Sequence, residues 1–186
     1  MKNPVVFLDF QGTLGGEGVD DIRNFQFYPW AIEAIKILNK NNIVTICITN
    51  QSRISKGEFT MDEYQIKLQS LKDELFFHHA YLDAVFCCPH STSDNCKCKK
   101  PLTGMIDMAK REIDINMEKA YVVGDMGMTD MVLANKINAK GILVLTGVGK
   151  GSLNEFRHTW RHVEPDYIAE NVLEAVQWIV GELEHN

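Results

Sequence analysis

Five short apolar runs punctuate the chain. Pro4 to Leu8, Ile43 to Ile48, Ala84 to Cys87, Ala120 to Val123 and Gly141 to Leu145 are almost continuous in apolar residues. That is the pattern of strands buried on both faces. Between them the period lengthens to that of helices. After Tyr28-Pro29, residues Ala31, Ala34, Ile35 and Leu38 recur at helical spacing, and Pro29 suits a first turn. Thr60-x-x-Glu63 reads as a capping box, followed by Tyr64, Leu68, Leu71 and Leu75 on one face. Gly104 to Glu112 and Asp130 to Asn138 predict two more helices. Asn171-x-x-Glu174 opens a last one, with Val172, Ala175, Val176, Ile179 and Leu183 along one side. Strands alternating with helices predict an α/β protein with a mostly parallel central sheet and helices on both faces. With no internal repeat and no linker-like stretch, residues 1–186 read as a single domain.

Composition narrows the function. The 186 residues are 45% hydrophobic and 24% charged, which excludes a disordered or low-complexity chain. The net charge of -6 argues against gripping nucleic-acid backbones or anionic membranes, yet leaves room for a locally positive site that takes a small anion. No run approaches the ~20 apolar residues that span a bilayer. The opening Met1-Lys2-Asn3-Pro4 and its four apolar followers are too short for a secretory leader. A cytoplasmic monomer is expected. Five cysteines stand out, with Cys87, Cys88, Cys96 and Cys98 crowded together and Cys47 apart. In a reducing compartment such a cluster points to metal rather than to disulfides.

In a parallel sheet, ligands gather at the carboxyl ends of the strands. Asp9, Thr49, the Cys88 region and Asp125 each lie just beyond a predicted strand. Asp9-Phe10-Gln11-Gly12-Thr13-Leu14 places an aspartate where it could act as nucleophile or cation ligand, although Asp-x-x-Gly is also ordinary turn chemistry. Asp125 and Asp130 suit a cation site better than the alternative, capping the start of a helix. Lys100 taken alone reads as a surface lysine.

Together these residues carry a resemblance. Asp9 with Gly12-Thr13, then Thr49, then Lys100-Pro101, then Gly124-Asp125 with Asp130 match in order the four motifs of the haloacid-dehalogenase-like hydrolases. Thr49-Asn50-Gln51-Ser52 and Cys88-Pro89-His90 through Cys96-Lys97-Cys98-Lys99-Lys100-Pro101 resemble the branch of histidinol-phosphate and heptose-bisphosphate phosphatases. The resemblance implies a three-layer Rossmann-like fold. It also implies hydrolysis of a small phosphorylated metabolite, a sugar phosphate or bisphosphate, through an aspartyl-phosphate on Asp9. Mg²⁺ would be held by Asp9, Asp125, Asp130 and the main-chain carbonyl of Gln11. Thr49 would hydrogen-bond the phosphoryl group and Lys100 would neutralise it, with Thr13, Asn50, Arg53 and Lys99 near the substrate. Arg53 reads equally well as an ordinary exposed arginine.

One position departs from the family. Its phosphatases carry a second aspartate two residues after the nucleophile, where this chain has Gln11. A carboxamide exchanges no proton near neutral pH, so acid–base catalysis is missing. Three readings follow: a slow phosphatase, a silent binder of phosphorylated ligands, or a substitution introduced to trap the phosphorylated state. The connectors after the first two motifs are too short for a cap domain. In the loop at about 87–100, Cys88, His90, Cys96 and Cys98 offer three thiolates and an imidazole, a closed set suited to structural Zn²⁺, as against reduced cysteines with no ion. Cys47 and Cys87 read as core thiols.

Overall fold

The structure is a computed structural model that describes residues 2–16 and 21–185. Six strands form one parallel sheet among the described residues: β1 (Asn3–Leu8), β2 (Val44–Asn50), β3 (Ala84–Cys88), β4 (Ile115–Gly124), β5 (Lys140–Val144) and β6 (Tyr167–Ala169). Their order is β3-β2-β1-β4-β5-β6, so the chain winds first to one side of β1 and then to the other. The switch falls between β1 and β4, where adjacent connections leave in opposite directions and open a crevice.

Burial on both faces explains the apolar runs. Val6 and Leu8 of β1 join a core with Cys47 and with α1 (Ala31–Lys40), α2 (Met61–Phe77) and α6 (Val172–Glu184). Val5 and Phe7, pointing the other way, pack with Ile46, Ile48 and Phe86 against α3 (Gly104–Glu112) and α4 (Val132–Lys136). These are the expected three layers. At the start of α2 the Thr60 hydroxyl accepts from Glu63 N at 3.1 Å, and the Glu63 carboxylate accepts from Thr60 N at 2.7 Å. Such a box is worth about 1 kcal/mol, enough to fix where the helix begins. Among the described residues no helix is long and apolar enough to cross a membrane.

The structure corrects several boundaries. β2 runs on through Thr49 and Asn50. β4 begins at Ile115, five residues before the apolar run, and its register against β1 jumps between Pro4 and Val5. The predicted helix from Asp130 is a π-helical turn, Gly127–Met131, feeding the short α4. Neither β6 nor α5 (Gly149–Leu153) was expected; both are too short to carry a periodic signal.

Candidate active site and zinc loop

The switch point gathers the chemistry. Asp9 leaves β1 with its amide still bonded to Val123 O of β4 at 2.9 Å. Asp125 follows β4, and the π-helical turn carries Asp130 back beneath it. Carboxylate oxygens of Asp9, Asp125 and Asp130 lie within 4.8 Å of one another, all three residues buried. Gly12 makes the approach possible: at φ +86°, a Cβ there would sit 2.1 Å from Asp125 Oδ2. Only glycine adopts that conformation freely and tolerates that contact.

Lys100 enters from the zinc-loop side, 3% exposed. Its Nζ donates to Asp9 Oδ1 at 2.6 Å and to Asp130 Oδ1 at 2.8 Å. Burial alone would strip its proton, but the charges of Asp130 and Asp9 outweigh this and raise its pKa above the ordinary lysine value. One lysine against three buried carboxylates leaves an excess of negative charge. Burial accordingly pushes the Asp125 carboxyl well above its usual range, with Asp9 and Asp130 acting in the same direction. Burial also raises Asp130 to about 6, against the pull of Lys100. Three hard, crowded oxygen donors, with Asp125 and Asp130 held back from ionising by burial, are a fitting seat for Mg²⁺.

The remaining predicted residues divide. Gln11, Thr49 and Asn50 line a cavity of about 90 Å³ together with Asp9, Lys100, Asp125 and Asp130. Asn50 clamps Lys100 through its backbone: Lys100 N donates to Asn50 Oδ1 at 2.9 Å, and Asn50 Nδ2 donates to Lys100 O at 3.2 Å. Thr13, expected beside the substrate, is instead fully buried and donates its hydroxyl to Asp9 Oδ2 at 3.3 Å. Its hydroxyl therefore holds the Asp9 carboxylate rather than facing the cavity. Arg53 and Lys99 are outside the cavity lining. Arg53 pairs with Glu58 at 3.2 Å, and Lys99 Nζ donates to His90 O at 3.3 Å.

One residue given no role in the sequence reading joins the site. Gln51 is 3% exposed, and its Nε2 donates both to Gln11 Oε1 at 2.8 Å and to Thr49 Oγ1 at 2.9 Å. Residues 49 and 51 are two apart at a strand end and so face the same way, a signal that was available.

The zinc-loop residues converge as well. Cys88 Sγ lies 3.0 Å from Cys98 Sγ and 3.6 Å from Cys96 Sγ, and His90 Nδ1 lies 3.2 Å from Cys98 Sγ. Zn–S and Zn–N bonds of about 2.3 and 2.0 Å in a tetrahedron need ligand atoms about 3.5–3.8 Å apart, so the cluster suits zinc with a slight opening. Cys87 faces away, packed against the opposite core, where burial pushes its thiol up to about 12. The loop is sewn to the catalytic strands: Gln51 N donates to Cys88 O at 2.7 Å and Ser55 N to Pro89 O at 3.1 Å.

Comparison with known proteins places this arrangement. Residues 97–175 match the HAD-hydrolase-like family. The chain is 36% identical over 155 residues to the D-glycero-beta-D-manno-heptose-1,7-bisphosphate 7-phosphatase of Yersinia pestis, covering 77% of this chain and 81% of that one. The chain belongs to the haloacid-dehalogenase-like hydrolases. Within them it joins the heptose-bisphosphate phosphatase branch. Its similarity to the D-glycero-D-manno-heptose-1,7-bisphosphate 7-phosphatase of Thermosynechococcus vestitus, 31% identity, covers 98% of both chains. The crystal structure of D,D-heptose 1,7-bisphosphate phosphatase from B. bronchiseptica, complexed with magnesium and phosphate, superposes with a TM-score of 0.86 at 26% identity. That match covers 98% of this chain and 99% of the other.

Two measurements test the metal sites of this hydrolase. Elemental analysis should find close to one zinc per chain, and Cys98→Ser should lose it and melt at a lower temperature. Zinc-free protein that melts like the wild type would refute the site. The second concerns Mg²⁺ and pH. Asp130, raised from 3.8 to about 6, keeps its proton in the fold where the unfolded chain has lost it. Metal-free stability therefore falls as pH rises through that window, and a cation that binds the ionised form restores it. The rise in Tm produced by Mg²⁺ should be larger at about pH 7.5 than at about pH 5. An equal rise at both would show that the carboxylates do not hold the ion.

Proposed function

We propose that this protein is a Mg²⁺-dependent phosphatase of a small sugar phosphate or bisphosphate, working through an aspartyl-phosphate on Asp9. One observation carries the reading: a buried lysine bridging two aspartates, with a third alongside, in a cavity at the switch point of the sheet. Named relatives that act on a heptose bisphosphate supply the substrate class.

The residues divide the work as follows. A carboxylate oxygen of Asp9, held by Thr13 and Lys100, forms the new bond to phosphorus as the ester P–O bond breaks toward the departing alcohol. Lys100 has a third N–H beyond those given to Asp9 and Asp130, and it goes to a phosphoryl oxygen. Thr49 accepts from Gln51, which leaves its own hydroxyl proton to donate to the same group. Asp9, Asp125, Asp130 and the Gln11 carbonyl would hold Mg²⁺, which when bound neutralises charge developing on the phosphoryl oxygens. Water then attacks phosphorus, releasing phosphate and regenerating Asp9. Gln11, steadied by Gln51, offers hydrogen bonds without a proton to exchange, so both steps are slow. The zinc loop stiffens the base from which Lys100 projects, and its reduced thiolates fit a cytoplasmic setting.

Gln11 also favours a second reading, a silent protein that senses phosphorylated ligands through Lys100 and Thr49. A screen of sugar phosphates separates the two. Phosphate release that needs Mg²⁺ and disappears in Asp9→Asn is the expected result. Release that survives Asp9→Asn, or none from any substrate, would overturn the phosphatase.

A further inference from the structure

Thr49 and Gln11 line the reaction cavity, and one buried residue outside that lining holds both of them from behind. That residue is Gln51. Its backbone is pinned at both of its polar atoms. The amide N donates to Cys88 O at 2.7 Å, at the start of the zinc loop, and the carbonyl O accepts from Ile54 N at 3.1 Å. From this fixed base the side chain reaches across to the loop after β1. Its Nε2 gives one N–H to Gln11 Oε1 at 2.8 Å and one to Thr49 Oγ1 at 2.9 Å. A carboxamide nitrogen has two protons, so both are committed.

The direction of these two bonds matters for an anion. Phosphoryl oxygens are acceptors, attracted by N–H and O–H groups and repelled by lone pairs aimed at them. A threonine hydroxyl can rotate to present either its proton or its lone pairs. Bonded from behind by a donor, the Thr49 oxygen has a lone pair engaged and keeps its proton for the cavity. The Gln11 carbonyl oxygen is engaged by the same nitrogen. The preceding amide works on the other partner of the phosphoryl group, since Asn50 holds Lys100 by its backbone N and O. Donors fixed in advance cost no reorganisation when the anion arrives.

We infer that Gln51 is a positioning residue for the phosphoryl pocket: it covers the acceptor oxygens of Thr49 and Gln11, so that this wall meets the anion with a proton. The inference rests on the phosphatase reading for the anion and deepens it. Gln51 touches neither the phosphoryl group nor the metal seat and acts on both through its neighbours. A residue that only filled the core would change stability and leave the affinity for phosphate alone.

Calorimetry with inorganic phosphate in Mg²⁺ tests this without requiring turnover. Gln51→Met, similar in volume, should bind phosphate about fivefold more weakly than the wild type, the effect of one net hydrogen bond. Gln51→Glu keeps the shape but reverses the bond, because a carboxylate takes the Thr49 proton, and it should bind more weakly still. Thr49→Val removes the hydroxyl through which Gln51 acts. In that background the loss caused by Gln51→Met should shrink to about twofold or less, the share left to Gln11. Wild-type affinity in either single variant, or losses that simply add in the double one, would overturn the positioning role and leave the phosphatase reading standing. A wild type that binds no phosphate in Mg²⁺ would overturn both.

Discussion

Gln11→Asp should raise steady-state turnover by about 10²–10⁴-fold, the usual worth of a positioned acid–base group. The carboxylate would share the place and reach of the carboxamide while adding a proton to give and take. Its effect should be largest on alkyl phosphates, whose alkoxides need that proton to leave. Aryl phosphates expose the defect differently. With a phenolate leaving group, phosphorylation of Asp9 needs no acid, but the water that follows still lacks a base. Rapid-mix kinetics on the wild type should therefore show a burst of about one phenolate per chain and then a slow release of phosphate. In Gln11→Asp the burst should merge into a fast steady state. Equal turnover by the two proteins would show that Gln11 is not what limits this enzyme.

The second large effect concerns stability. Lys100→Met removes the buried cation that joins Asp9 and Asp130. Breaking a buried ion pair on one side typically costs about 3–5 kcal/mol, because the remaining charges lose their partner without regaining water. For a chain of this size that amounts to roughly a 10 °C fall in Tm. The deficit should be greatest near neutral pH. It should shrink as pH falls through about 6, where Asp130 takes up its proton. Mg²⁺ should recover part of it, since a divalent ion can stand in for the missing positive charge, while activity stays lost. A Lys100→Met protein as stable as the wild type at neutral pH would mean that the aspartates are not ionised together.

Much of this site was legible because parallel strands advertise themselves. Asp9 and Asp125 each follow a run buried on both faces, and such runs admit a charged residue only where they end. The capping box at Thr60 was equally plain, since both of its bonds join residues three apart. The contacts that escaped depend on loop geometry or on distant pairings. Thr13 looked like a substrate ligand beside Gly12, yet the tight turn folds its hydroxyl back onto Asp9 and away from the cavity. Lys99 adjoins Lys100 in sequence, but of the two only Lys100 turns inward, to Asp9 and Asp130, while Lys99 lies along the zinc loop. Strand alternation alone pairs Gln51 with Thr49, but its bond to Gln11 depends on β1 and β2 lying side by side.

The end position of β3 has a consequence for handling the protein. Its five residues, Ala84–Cys88, carry no charge and among the described residues pair only with β2, so one row of backbone donors and acceptors is left without a strand partner. Such a row is a template for adding a strand from another molecule. Cys88 ends this strand and also belongs to the zinc set. Stripping the zinc would therefore free three thiols beside an unpaired strand edge in a single step. Strand addition would bring two copies together, and oxidation would lock them as disulfide-linked oligomers. Gel filtration of chelated protein without reductant should therefore show oligomers that a thiol reductant disperses.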